Sequence, residues 1–454
     1  MKFVYKKLTS IIVNLKNEKR QNGLRAVFAY ISKRIKYYVS STLNFILTLP
    51  LALFIIGMRP FLKIHFVMLL SSRIGHFSAN AEFMLLDQLE NLYEKRKLYL
   101  FYQETMVCNA QLSRMWKRVL PIVPLPRLCH KLDKTLGILL GEIYRKDSVK
   151  AFESCKLGRD HQQLLEKRDM PYLYFTPREI HKAKKILNSM GLQNNQPFVC
   201  ILVRDAGYLD YRAPGKNLFR HHDSRNAAIG NYCEAALFLA KKGYMVFRMG
   251  KHVTKPFNVN HPNIIDFANH PERCDLLDIY LAAHCHFMIS TSTGLDCISQ
   301  LFKKPVLFTD LFPLLCQLQF WYPCLLFIPK KIRYRDTKKI LSFKELEKEF
   351  PNITDVTTHS RLEEKNTEIL PNTPQEILDA VIEMEARVNH TWVETDENLH
   401  LQKILLQNSF PSTIFVEELR YALDKIKVKI GSQFIQENTI LLGMAQKESN
   451  EIIA

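Results

Sequence analysis

Apolar positions along this chain follow two rhythms, one of short unbroken runs and one of helical spacing. Residues 64–70 (IHFVMLL) form a run of strand length, closed by the turn Ser71-Ser72-Arg73-Ile74-Gly75-His76. Residues 79–93 then carry Phe83, Leu86, Leu89 and Leu92 on or near one helical face, and 98–102 reads as a second strand, so a βαβ unit is predicted to begin here. The stretch 108–169 is mostly helical in pattern, with Pro121, Pro124 and Pro126 breaking it. At Thr176-Pro177-Arg178-Glu179 a capping hydroxyl precedes a proline at the first helical position, with a glutamate three residues after the cap. The helix this opens is predicted to end at Gly191. From there strands and helices alternate: strand 198–203, helix 226–242 closed by Gly243, strand 244–247, short strand 263–267, helix 272–284, strand 286–289, helix 295–302 and strand 305–308. Such alternation predicts a parallel, doubly wound sheet. After residue 351 the chain turns polar and then helical over 374–388 and 413–430, with no repeat of solenoid period. These last helices are expected to brace the domains.

At 454 residues the chain exceeds what one compact core usually supports. The expected division is an N-terminal extension over 1–63, a first Rossmann-like domain over 64–175, a second over 176–350, and a helical extension over 351–454. The extension is unusual in charge. Lys2, Lys6, Lys7, Lys16, Lys19, Arg20, Arg25, Lys33, Arg34 and Lys36 face a single acid, Glu18, so this end supplies about half of the formal net charge of +18. A basic cluster of this kind points to an anionic surface, either lipid of the cytoplasmic leaflet or nucleic acid. Leu24, Val27, Phe28, Ile31 and Ile35 repeat at helical spacing beside some of those cations. The apolar stretch 43–58 that follows is short for a bilayer span and is interrupted by Pro50. An interfacial helix followed by a shallow apolar segment fits both features, as does an amphipathic helix packed on the protein's own core.

The 47% hydrophobic and 24% charged fractions describe a folded protein and exclude a disordered, collagen-like or polytopic membrane class. No signal peptide fits the N-terminus. The ten cysteines lie far apart, with no pairing at zinc-ligand spacing, so reduced thiols in a cytoplasmic setting are expected, with neither a structural metal nor a disulfide frame.

In an open parallel sheet, ligands collect at the carboxyl ends of the strands. Three predicted strands end in informative residues. Arg204 and Asp205 follow the first; Arg248, Met249, Gly250 and Lys251 follow the second; Ser290-Thr291-Ser292-Thr293-Gly294 follows the third. The hydroxyl-rich turn suits a phosphate, because backbone N–H groups at a helix start point one way and Gly294 permits close approach. The same residues also serve as ordinary helix caps. Arg204 and Arg248 could fork onto diphosphate oxygens and neutralise the charge of a leaving nucleoside diphosphate, or could form structural ion pairs. Asp205, Asp210, His221, His222, Asp223 and His76 are candidates for the base that accepts a proton from an acceptor hydroxyl. Asp205 leads by position, with orientation of Arg204 as its competing role, and His76 is the candidate from the first domain. The chain has no GxxxxGK[ST] loop, no GxGxxG after a strand, no HExxH and no GxSxG. It also lacks an Asp-x-Asp pair to hold a divalent cation against a diphosphate, so the expectation is a transferase with no obligatory metal and no cofactor beyond its co-substrate.

The segments SSRIGHF (71–77), ILVRD (201–205), SRNAAIGNY (224–232), YMVFRMGK (244–251) and FMISTSTGLD (287–296) resemble a family of bacterial glycosyltransferases encoded with surface-polysaccharide genes. That resemblance implies an α/β fold of two facing Rossmann-like domains, the GT-B architecture, with an acceptor domain first and a nucleotide-sugar donor domain second. It implies donor phosphates at Arg204, Arg248, Gly250 and the 290–294 turn, with Arg225 and Asn226 near that loop. The chain is similar more loosely to heptosyltransferases. Their Thr-Gly turn is followed closely by histidine, whereas this chain reads Thr293-Gly294-Leu295-Asp296-Cys297, so a heptose donor is not implied. The expected function is transfer of a sugar from a nucleotide diphosphate to a carbohydrate or lipid-linked acceptor, with an anionic membrane surface as a further partner. The rival reading is a non-catalytic peripheral protein that binds anionic lipid or, less in keeping with the sequence, nucleic acid.

Overall fold

The computed structural model describes residues 2–90, 96–144, 171–212, 220–312, 325–350, 358–408 and 427–444. The chain forms two compact units that interleave in sequence. One comprises Met1–Met68, Leu92–Thr105 and Pro121–Lys150; the other comprises Leu69–Asn91, Met106–Leu120 and Ala151–Ala454.

The first unit is built on α1 (Lys2–Met58), the two-stranded pair β1 (Lys63–Leu69) and β2 (Lys97–Gln103), and α4 (Pro126–Leu140). Pro126 stands at the first turn of α4, where its missing N–H has no intrahelical partner to lose. Ala52 and Ile55 of α1 pack with Phe66, Tyr102, Cys129, Leu132, Leu136 and Tyr144 in one buried cluster. The Thr48 and Thr135 hydroxyls meet at 2.8 Å between α1 and α4. The 43–58 segment is not set apart by Pro50: α1 runs unbroken through it. Proline removes one backbone bond there, and packing of the following turn against α4 holds the helix on course.

The second unit carries the expected doubly wound sheet. Its strands are β3 (Phe198–Leu202), β4 (Met245–Arg248), β5 (Ile264–Ile265), β6 (Phe287–Ser290), β7 (Val306–Leu311), β8 (Leu325–Pro329) and β11 (Lys429–Ile430), in the order β11-β8-β7-β6-β3-β4-β5. All of its pairs are parallel. The strands read as continuous apolar runs because both faces are covered, and β3, β4, β6 and β7 are buried throughout. The chain progresses outward from β3 to β5, then crosses to β6 and progresses outward on the other side. The strand order therefore reverses between β3 and β6. A small antiparallel pair, β9 (Lys331–Tyr334) with β10 (Thr367–Leu370), adjoins in sequence.

In chain order the helices of this unit are α2 (Ala81–Glu90), α3 (Ala110–Val119), α5 (Pro177–Ser189), α6 (Gly207–Arg212), α7 (Cys233–Lys241), α8 (Asp275–His284), α9 (Asp296–Leu301), α10 (Phe343–Glu349), α11 (Thr358–Glu364), α12 (Pro374–Val388), α13 (Asp396–Asn408) and α14 (Ser432–Glu437). The capping box at Thr176 forms as read: Glu179 N donates to Thr176 Oγ1 at 3.3 Å, and Thr176 N donates to Glu179 Oε2 at 2.8 Å. α12 begins with the same device at Thr373 and Glu376 and packs against β7, β8 and α7.

Two expected helices differ. The one predicted over 226–242 begins only at Cys233, after a short 3-10 turn at Ile229–Tyr232. Its first residues are committed to the sheet edge instead, since Ala227 N donates to Arg204 O at 3.0 Å and Lys330 takes the Asn226 carbonyl. The helix predicted over 413–430 falls mostly outside the described residues, and its last two residues are strand β11, paired with Leu326 and Phe327.

Candidate functional site

The strand order reverses between β3 and β6, and the carboxyl ends of the strands at such a reversal are the place where doubly wound sheets take ligands. Arg204 and Asp205 leave β3 there, and the Ser290–Gly294 turn leaves β6. Backbone and hydroxyl bonds tie the two strand ends together. Thr291 N donates to Leu202 O at 3.2 Å, continuing the sheet by one residue, and Arg204 N donates to Thr291 Oγ1 at 2.8 Å.

The turn is held largely by its own residues. Ser292 adopts a left-handed conformation with φ of +55°, uncommon for a residue with a side chain. Its carbonyl accepts a hydrogen bond from Arg225 Nη2 at 2.5 Å. Asp296, in the first turn of α9, accepts from the Ser290 hydroxyl at 2.7 Å and from Thr293 N at 2.8 Å through one oxygen, Oδ2. A carboxylate of the chain thus takes helix-start donors that a phosphate would otherwise use. Burial pushes the Asp296 carboxyl up to about 6 against the opposing pull of those two bonds and of the Arg225 charge. The Thr293 hydroxyl is buried and has no hydrogen-bond partner among the described residues.

Gly294 meets protein backbone. A Cβ on Gly294 would lie 2.7 Å from Gly75 N, and a Cβ on Gly75 would lie 2.9 Å from Gly294 Cα. The glycines at these two positions let the 71–76 turn press directly on the β6 turn. His76 follows in a π-helical turn, His76–Asn80, that packs on α9. Its Nδ1 lies 3.2 Å from the Asn80 amide nitrogen, a donor, which leaves the ring proton of a neutral imidazole on Nε2. Trp116 Nε1 fixes the same turn by donating to Phe77 O at 2.7 Å.

The remaining expected residues are placed as follows. Asp205 accepts three hydrogen bonds, from Gly207 N at 3.0 Å and from Thr254 N and Oγ1 at 2.7 and 2.9 Å. It joins the start of α6 to the 252–254 loop, an arrangement that uses its lone pairs structurally. Arg248, at the end of β4, is 1% exposed, and its guanidinium bonds Asp266 at 3.1 Å. It lies one strand farther from the switch point than Arg204, on the other side of β3. Gly250 has φ of +153°, and its carbonyl accepts from Arg273 Nε at 2.8 Å. Lys251 reaches Cys108 O at 3.2 Å. Asn226 donates to Asp223 Oδ1 at 3.3 Å, and Asp210 is exposed on α6. The side chains of His221 and His222 lie outside the described residues.

Lys330, absent from the sequence-based candidates, ties this edge together. It stands immediately after β8, is 6% exposed, and donates to Ser224 O at 3.0 Å and Asn226 O at 2.5 Å, the carbonyls on either side of Arg225. Behind it, Asp310 accepts from Tyr232 Oη at 3.1 Å and from Asn372 N at 2.8 Å. Burial lowers the Lys330 ammonium, opposed by the Asp310 charge, and burial raises Asp310. The strand-end rule that singled out Arg204 would have found Lys330 had the run 325–329 been read as a strand, and Asp310 stands just beyond the predicted strand 305–308. At this edge Lys330 holds the two carbonyls that flank Arg225, and the Arg225 guanidinium bonds the Ser292 carbonyl.

The fold and this edge define an α/β protein with a doubly wound parallel sheet and a candidate anion site at its switch point. No protein-family model and no curated protein matches the chain by sequence. In structure it is similar to the E. coli ADP-heptose LPS heptosyltransferase II, with 13% identity over 72% of this chain and 99% of that one and a TM-score of 0.38. It is also similar to a family 9 glycosyl transferase from Veillonella parvula, with 10% identity, 71% and 97% coverage and a TM-score of 0.40. An E. coli heptosyltransferase with ADP shows 10% identity, 54% and 86% coverage and a TM-score of 0.23.

Proposed function

We propose that this protein is a glycosyltransferase that moves a sugar from a nucleoside-diphosphate donor to a carbohydrate or lipid-linked acceptor, in the synthesis of a surface polysaccharide. The observation that carries the reading is the switch point of the sheet, where the Arg204 backbone and the Arg225 guanidinium are both bonded to the Ser290–Gly294 turn between β3 and β6. Cations at that position would stabilise the charge that builds on the departing diphosphate. The buried Thr293 hydroxyl is a further donor within the same turn. The reading includes no obligatory metal and no cofactor apart from the nucleotide-sugar. Arg225 takes the anchoring role that sequence reasoning gave to Arg248, which the ion pair with Asp266 occupies. Among the candidate bases, His76 suits proton transfer better than Asp205, whose oxygens are already bonded. A cytoplasmic site of action, with the basic leader at the inner face of the membrane, completes the proposal.

Thermal melting with ADP, UDP and GDP, with and without magnesium, tests it. At least one diphosphate should raise the melting temperature without metal. Arg225→Ala should weaken that ligand by about tenfold, the loss of one charge-assisted contact, while the unliganded protein still melts cooperatively at a somewhat lower temperature because the Ser292 carbonyl loses its donor. No response to any diphosphate, combined with salt-sensitive vesicle binding that is lost on deleting residues 1–40, would favour the non-catalytic reading.

A further inference from the structure

The first unit contains a surface that the reaction does not use. From 37 to 58 the chain carries no charge, with Lys36 before it and Arg59 after it. At the helical rise of about 1.5 Å per residue this stretch of α1 is roughly 33 Å long, close to the hydrocarbon thickness of a bilayer. The helix Val27–Met58 is long and apolar enough to cross a membrane. Its two faces nevertheless differ. Thr48, Ala52 and Ile55 are buried against the unit's core, whereas Leu43, Ile46, Leu47, Leu51 and Phe54, between 43% and 66% exposed, form an outward apolar stripe. Ile138 and Ile143, each 65% exposed, add to it at the end of α4.

Spanning is incompatible with this packing. A bilayer surrounding α1 would also enclose α4, which carries Arg127, Lys131 and Lys134. Lying in the plane of the surface satisfies both faces. Between α1 and α4 runs a groove of about 610 Å³, lined by Ser40, Ser41 and Asn44 on one side and by Arg127, Lys131 and Lys134 on the other. Asp133 also lines it, but accepts from Tyr102 Oη at 3.2 Å and Tyr144 Oη at 3.0 Å, so its charge is directed inward. Three cations beside hydroxyl and amide donors, next to an apolar stripe, match a phospholipid: phosphate in the groove, acyl chains along the stripe.

We propose that this unit docks in plane on an anionic bilayer, with the outward stripe of α1 and the side chains of Ile138 and Ile143 in the acyl layer and a lipid phosphate held by Arg127, Lys131 and Lys134. The proposal deepens the membrane partner named above and does not depend on glycosyl transfer. Flotation of the full-length protein with phosphatidylcholine vesicles, with and without phosphatidylglycerol, tests it. The unaltered protein should float with the anionic vesicles, stay bound in high salt, and be released by alkaline carbonate. Arg127→Gln/Lys131→Gln/Lys134→Gln should bind anionic vesicles at least tenfold more weakly, since each cation near the surface contributes roughly fivefold. Leu43→Ser/Ile46→Ser/Leu47→Ser/Phe54→Ser should detach in high salt. Inorganic phosphate at matched concentration should not compete.

Equal binding to neutral and anionic vesicles, retention of the serine variant in high salt, or displacement by free phosphate would each overturn the proposal. So would resistance to carbonate, the mark of a spanning helix, or a lipid-independent dimer that buries the stripe. All the substituted side chains lie on α1 or α4 in the first unit, so retention of the helical circular-dichroism signal and of the unliganded melting transition confirms that the variants fold, whatever the response to nucleoside diphosphate. It also keeps failure of docking distinct from failure of the enzymatic reading.

Discussion

At the carboxyl edge of the large sheet, polar groups find partners within the chain: Ser290 and Thr293 bond Asp296, Thr291 receives Arg204 N, and Ser292 receives Arg225. Along the outer face of α1, apolar groups are left uncovered by the described residues: Leu47 and Phe54 stand 66% and 64% exposed on a helix whose other side is well packed. The first region is satisfied almost entirely from within, the Thr293 hydroxyl being left over, and the proposed ligand would have to use what remains. The second is incomplete and calls for a partner. A ligand at the edge meets donors already in use and a buried acid, so its affinity rests on the few groups left over and on their fixed placement. A partner at α1 gains instead from covering apolar area, at roughly 25 cal/mol for each Å² removed from water, with little demand on geometry.

Substitutions chosen at the two regions should expose this contrast. The largest effect is expected for Gly294→Ala, whose new methyl would meet Gly75 N at 2.7 Å and the Ile74 side chain at 2.9 Å. Backbone would have to move, and denaturant unfolding should reveal a loss of about 3 kcal/mol or more. Next comes Lys330→Met, which leaves Asp310 buried without its cation and two loop carbonyls without a donor. A loss of about 3 kcal/mol is expected, partly recovered by adding Asp310→Asn, and a double-mutant cycle measures the recovery.

Asp296→Asn probes the edge through pH. The folded-state carboxyl sits at about 6 because burial favours its neutral form, above the ordinary value of 3.8. The folded protein therefore holds a proton that the unfolded chain has released between about pH 4 and pH 6. Stability from this group is present below that window and is lost as pH rises through it, on the order of 3 kcal/mol. The asparagine variant should lack this component. Asp278, also pushed by burial to about 6, remains in both proteins and cancels in the difference. The smallest effect has the opposite sign. Gly57→Ala lies on α1, where a Cβ would meet nothing within 4 Å, and should stabilise the helix by about 1 kcal/mol. If Gly294→Ala were as harmless as Gly57→Ala, the account of a tightly completed edge would fail.

Much of the large sheet was legible because parallel strands covered on both faces announce themselves as apolar runs: β3, β4, β6 and β7 fall where the pattern put them. β8 and β11 did not, since 325–329 was not read as a strand and β11 has only two residues. Which strand ends are neighbours was not legible either. Arg204 and Arg248 look equivalent in sequence, yet the order of strands sets one at the switch point and pairs the other with Asp266, a residue 18 positions farther on. Asp296 was visible inside the turn's own motif, but only geometry showed that its carboxylate takes the turn's donors. The continuity of α1 through Pro50 rests on packing against α4, which no local signal encodes.

The contact between Gly75 and Gly294 joins points more than two hundred residues apart in the chain. Closing so long a loop is unfavourable until the strands between them have paired. The switch-point edge should therefore be among the last features to form on refolding. Recovery of nucleotide binding would then lag behind recovery of helical signal, and a chain interrupted partway through the sheet would hold the residues of the site without the site itself.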